Sequence, residues 1–224
     1  MKSRPYLGVA AGLAATVLLG RPVAADPTIV DRPIRFDAER ERLTVEYRRR
    51  HQDPDVDDSS IEPRVVVLHY TGGSSLRGSW SYFDRTRIEG GRRTLRRAGE
   101  LNVSAHFLVD RDGSIYRLMP ETRMARHCIG LNHVAIGVEN VGDGDRHPLT
   151  DAQVRANAEL VRLLARRFPL THLIGHSESN AMRKHGYWRE REPGYGNRKS
   201  DPGDAFLRRV RARVADLKLQ GPPE

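Results

Sequence analysis

Two histidines and one aspartate of this 224-residue chain stand where a folded protein usually does chemistry. His69 closes an unbroken apolar run, Val65 to Leu68, and leads into a Thr-Gly-Gly turn. His176 follows the short stretch HLIG, and Asp201 lies in a Pro-Gly turn just ahead of a C-terminal helical pattern. In open α/β sheets ligands gather beyond the carboxyl ends of the strands, where residues are free to vary in chemistry. Taken alone, His69 reads as a buried histidine satisfied by a backbone carbonyl. With His176 and Asp201 it becomes part of a set of two imidazoles and one carboxylate. A catalytic zinc site uses three protein ligands and keeps a fourth position for water, whereas a structural site fills all four, commonly with thiolates. Cys128 is the only cysteine, so the structural kind is ruled out and no internal disulfide can form. Glu139 adds a carboxylate at the end of a further apolar run, VAIGV at 134–138.

The elements that must position these residues follow from the pattern. The run 64–71 is apolar at consecutive positions, which predicts a strand covered on both faces rather than a half-exposed one. Asp37 precedes ERERLTVEYRRRH, where Phe36, Leu43 and Tyr47 fall on one side of a helix, with acids near its start and bases near its end. Residues 52–63 hold acids, serines and two prolines and read as a loop. A short helix is expected over 79–87 and a charged, solvated loop over 84–100. SAHFLVDRDGSIYRLM predicts a hairpin turning at Asp110 to Gly113. Thr150 and Gln153 form a capping box for a helix with Val154, Val161, Leu164 and Phe168 inward, stopped by Pro169. A strand at HLIG and a last helix from Asp204, with Phe206, Val210, Val214 and Leu217 inward, complete the order. This implies an α/β fold: a single domain with a mixed central β-sheet flanked by helices. We divide the chain into 26–60 (N-terminal helix and linker), 61–219 (the domain proper) and a tail, 220–224.

Residues 1–25 read as a signal peptide. Lys2 and Arg4 precede an apolar stretch from Tyr6 to Leu19, and Val23-Ala24-Ala25 supplies small residues for cleavage before Asp26. An exported protein, periplasmic or secreted, is expected, with no stable membrane insertion after cleavage. Removal of this segment takes away Lys2, Arg4 and Arg21 and no acid, so the formal charge falls from +9 to +6. A basic surface suits an anionic polymer, but the arginines are scattered without any nucleic-acid-reading motif, so no nucleic-acid partner is expected.

VVVLHYT, VSAHFLVDRDGSIYRL, NHVAIGVENVG, IGH and KSDPG, in that order, resemble the zinc-dependent N-acetylmuramoyl-L-alanine amidases of the type-2 amidase family, to which peptidoglycan recognition proteins and phage T7 lysozyme are related. The resemblance covers roughly residues 61–210. It implies Zn2+ as cofactor on His69, His176 and Asp201, with Glu139 and Lys199 as catalytic residues and peptidoglycan or muropeptides as partners. The implied reaction is hydrolysis of the amide between N-acetylmuramic acid and L-alanine. A non-catalytic peptidoglycan-binding module of the same fold and a zinc peptidase acting on another amide stay open beside it. The connection from His176 to Asp201 is longer than in smaller relatives, and Tyr187, Trp188 and Tyr195 in it read equally as substrate contacts or as loop packing. His106 is expected to be structural, and His127 either lines the cleft or packs. His133, His147, His172 and His185 are expected on the surface or in loops. Glu178 is expected to be solvated or to support the metal site from outside.

Overall fold

The apolar run at 65–68 forms the predicted strand, inside a six-stranded sheet. The computed structural model describes residues 26–224, so the expected signal peptide lies outside the described residues. In chain order the elements are β1 (Ile29–Asp31), α1 (Ala38–His51), β2 (Val65–Tyr70), α2 (Leu76–Phe83), α3 (Arg93–Arg97), β3 (Phe107–Val109), β4 (Ile115–Arg117), β5 (Ala135–Asn140), α4 (Asp151–Arg167), β6 (His172–Gly175) and α5 (Asp204–Arg213). Single 3₁₀ turns follow β6 at His176–Glu178 and Ala181–Lys184. The strand order is β1-β4-β3-β5-β2-β6. β2 pairs in parallel with β5 and β6, β3 with β5, and β1 with β4, while β3 and β4 are antiparallel across the Asp-Gly turn. The chain is one domain built on this mixed sheet. No helix among the described residues is long and apolar enough to cross a membrane.

Both faces of the central strands are covered, as their unbroken apolar sequence requires. Val66 and Leu68 of β2 and Ile136 and Val138 of β5 pack under α4 and α5. Val65 and Val67 point the other way, against Cys128, Leu131 and Met182. His69 shares this second face by the period-2 alternation of a strand. His69 therefore emerges on the side away from α4 and α5.

A buried polar ladder joins α4 to the strand ends, and the sequence patterns did not single it out. Thr150 and Gln153 form the capping box, and the Gln153 Nε2 goes on to donate to Val109 O and Val141 O, at 3.2 and 3.0 Å. Asn157 donates to Asn140 Oδ1 at 2.6 Å, and Asn140 Nδ2 donates to His69 O at 3.0 Å. All three amides are fully buried, where an unpaired polar group costs roughly 1–3 kcal/mol. The ladder thus pins the backbone that carries His69.

Several local expectations shift. The short β1 at the sheet edge was not predicted, since three residues give too little alternation to read. The helix expected over 79–87 runs from Leu76 to Phe83, because Ser75 caps it by accepting from Gly78 N at 3.1 Å. The charged stretch 84–100 contains α3 and buries Ile88 and Ala98. Buried Arg126 holds it in place by donating to Leu95 O, Gly99 O and Leu101 O. Leu43 and Tyr47 of α1 pack as expected against Ile61, Leu101 and Met124, but Phe36 turns towards Ile34 and Phe83.

Candidate metal centre and active-site cleft

His69, His176 and Asp201 arrive from three separate segments. β2 delivers His69 near its carboxyl end, and β6 releases His176 into a 3₁₀ turn. Asp201 is held because Gly203 takes φ +90°, a conformation open to glycine, and so swings the chain into α5. Asp201 O accepts from Ser177 N at 2.8 Å, tying the last two segments together. Glu178 accepts from Gly175 N at 3.0 Å and forms a bidentate ion pair with Arg211 of α5, at 2.7 and 2.9 Å. It braces the His176 turn and faces the helix.

The three side chains are buried, and their donor atoms form a tight triangle. His69 Nδ1 lies 2.9 Å from His176 Nδ1, and Asp201 Oδ2 lies 3.1 Å from each. A proton can bridge two such atoms, whereas a cation can be shared by all three. With zinc–nitrogen bonds of about 2.0 Å, the edge of a tetrahedral ligand set is ~3.3 Å, close to the edges found here. The residues present therefore fit a small divalent cation in the three-ligand, open manner. Burial pushes the Asp201 carboxyl up, but the His176 and His69 rings set against it hold it well below the usual carboxylate range. Burial, with His69 beside it, lowers His176 to about 4, which keeps its ring neutral.

Glu139 is the register neighbour of His69 across β2 and β5, so both side chains rise from the same face. Its Oε2 is shut off from solvent and has no hydrogen-bond partner among the described residues. Burial raises this carboxyl to about 7, with His69 pulling it down and Asp201 pushing it up. His69, His127, Glu139, His176, Lys199 and Asp201 line one cleft of about 1090 Å³. Its flanks are residues 91–95 and 195–200, which bring Arg92, Arg93 and Arg198 to the rim, while among the described residues Glu139 and Asp201 are its only lining carboxylates. The five residues singled out for ligation and catalysis thus meet in one place.

The aromatic residues of the long connection divide towards packing. Tyr195 borders the cleft but is buried, with its hydroxyl accepting from Arg126 at 3.1 Å. Trp188 lies against Gly130 and Tyr187 against His172. His106 is fully buried, accepting from Gly137 N at 3.0 Å and donating to Arg123 O at 2.8 Å, a structural role as expected. His133 and His172, expected on the surface or in loops, are both buried, His133 within a turn and His172 in β6. For His172 the cause is its place at the start of β6, where Thr171, His185 and Tyr187 close over the ring. His127 proves to touch His69 directly, at 3.0 Å, which no pattern in the sequence could reveal.

Comparison with known proteins assigns the sequence to a family. The sequence matches the Amidase_2 family, N-acetylmuramoyl-L-alanine amidase, over residues 59–204. It is 30% identical over 180 residues to the 1,6-anhydro-N-acetylmuramyl-L-alanine amidase AmpD of Salmonella typhimurium, covering 74% of this chain and 87% of that protein. It is 25% identical over 122 residues to mouse peptidoglycan recognition protein 3, covering 53% of this chain and only 35% of that longer protein. The fold is also that of the endolysin amidase LysCS from Clostridium intestinale, with a TM-score of 0.55 at 18% identity over 85% of this chain and 97% of that one. A family match across the segment that carries His69, Glu139, His176 and Asp201, with an enzyme relative aligned over most of its length, means that this chain belongs to the N-acetylmuramoyl-L-alanine amidase family.

Proposed function

We propose that the protein is a zinc-dependent N-acetylmuramoyl-L-alanine amidase that cuts the amide between N-acetylmuramic acid and L-alanine in peptidoglycan or its fragments. One observation carries this reading: the buried His69–His176–Asp201 triangle opens into the same cleft as Glu139, its strand neighbour. Bound there by these three residues, zinc supplies Lewis acidity, polarising the scissile carbonyl and acidifying a water. Glu139 takes the proton of the attacking water and hands it to the leaving amine of L-alanine. Its buried, unpartnered Oε2 suits a group that must gain and lose a proton near neutral pH. Lys199, whose charge reaches Glu139 and His176, stabilises the oxyanion as the carbonyl becomes tetrahedral. The arginines at the rim favour a substrate with free carboxylates, as stem peptides have. Export, as read from residues 1–25, would bring the enzyme to the wall.

Purified peptidoglycan incubated with zinc-loaded protein should yield stem peptides with free L-alanine N-termini, read by mass spectrometry. Exhaustive chelation should abolish the reaction and zinc should restore it. Cleavage elsewhere in the stem, with the lactyl–alanine bond intact, would make the protein a peptidase. Stoichiometric zinc without turnover on any wall substrate would make it a binding module.

The pH profile is a separate prediction. Glu139 acts as a base only as the carboxylate, so activity is gained as pH rises through its pKa and lost as pH falls. Burial sets that pKa at about 7, and the charge of a bound cation draws it down. The acid limb of kcat/KM should therefore have its midpoint at or below about pH 7, and it should vanish in Glu139→Gln. An acid limb unchanged in that variant would assign the titration to another group.

A further inference from the structure

We propose that His127 is a positioning residue for the metal centre, fixing His69 in the tautomer whose Nδ1 lone pair faces His176 and Asp201. The inference rests on the metal-site reading above and assigns a role to a residue outside the ligand set. The chain of hydrogen bonds starts at Ala135 O, which can only accept. His127 Nε2, 3.2 Å away, must therefore carry a proton. In a neutral ring the lone pair then sits on His127 Nδ1, 3.0 Å from His69 Nε2. His69 Nε2 is left to donate, and His69 Nδ1 is left with its lone pair in the triangle.

The surroundings of His127 leave the ring little freedom. Asn132 Oδ1 accepts from the backbone N–H groups of His127 and Cys128, at 2.9 and 2.7 Å, and holds the turn. The ring lies over Gly137, where a Cβ would come within 2.7 Å of His127 Cγ, so only glycine admits it. His106 stands edge-on to it, ring centroids 6.0 Å apart. A ring so confined passes the direction of a carbonyl in β5 to a ligand on β2. Groups that orient metal-bound histidines in this way are typically worth 10–100-fold in metal affinity.

Two measurements test the assignment. Nitrogen-15 NMR of the metal-free wild-type protein, at a pH where the ring is neutral, should show His69 protonated at Nε2. Protonation at Nδ1 as the main form would overturn the proposal without any variant being made. Zinc affinity, from competition with a chromogenic chelator, should fall roughly 10–100-fold in His127→Phe, which keeps the bulk and removes the acceptor. His127→Asn places Oδ1 near the former Nδ1 and should recover most of that loss. Wild-type affinity in His127→Phe, or equal weakening in both variants, would reduce His127 to packing. If His127→Phe does not fold, judged by circular dichroism, the NMR result decides. Wild-type protein that takes up no zinc would instead refute the metal reading, a distinct failure that leaves the tautomer measurement interpretable.

Discussion

Glu139→Gln should bind zinc like the wild type and turn over roughly 10²–10⁴ times more slowly, the usual worth of general acid–base catalysis. That is a rise of about 3–5 kcal/mol in the barrier. The substitution is nearly isosteric, and the Oε2 it replaces has no hydrogen-bond partner among the described residues to lose. The ligand triangle is untouched, because Glu139 reaches it through strand register and not through a bond to His69, His176 or Asp201. A carboxyl raised to about 7 by burial is also a cost to the folded state once ionised, so the metal-free variant should melt no lower than wild type at alkaline pH. Zinc content, turnover and thermal melting on the same preparation separate these effects. Near-normal turnover would mean that Glu139 is only a carboxylate at a strand end. Glu178 could not replace it as it stands, being committed to Gly175 N and Arg211.

Asp201→Ala should fail differently, losing zinc first and activity with it. A four-ligand structural zinc site is worth ~10–16 kcal/mol, so one ligand of comparable share corresponds to roughly 10²–10³ in affinity. The effect has a second source in charge: Asp201 Oδ2 is the anionic member of the triangle, 3.1 Å from each imidazole. Its removal leaves two neutral rings to hold a divalent ion. Competition titration should show the loss, and excess zinc should return part of the activity because Glu139 and Lys199 remain in the cleft. Zinc retained at wild-type affinity by Asp201→Ala would remove Asp201 from the ligand set and with it the triangle as the metal centre.

The fold was legible wherever a local signal was strong. The consecutive branched residues at 65–68 announced a strand covered on both faces, and the Asp-Gly pair announced the β3–β4 hairpin. Thr150 with Gln153 announced the start of α4. Each depends on interactions within a few residues, and tertiary packing only had to accept them. The misses are short or long-range. β1 is three residues at an edge, α3 is held by carbonyl contacts to Arg126 from another segment, and His172 is buried by a loop that returns from 185–187.

By itself, then, the sequence determined the residue types and their ends of strands: His69, His176, Glu139 and Asp201 follow or close apolar runs and turns whose spacing is local. The arrangement among them was decided only in the tertiary structure. The side chains of His69, His176 and Asp201, separated by 25 to 132 positions, come within 3.1 Å through the parallel pairing of β2 with β6 and the Gly203 turn, and the pairing of β2 with β5 sets Glu139 beside His69. Proton positions are later still in this order. The lone pair that His69 offers follows, through His127, from a carbonyl on the neighbouring strand β5, and hydrogen-bond direction depends on which atoms the fold sets about 3 Å apart.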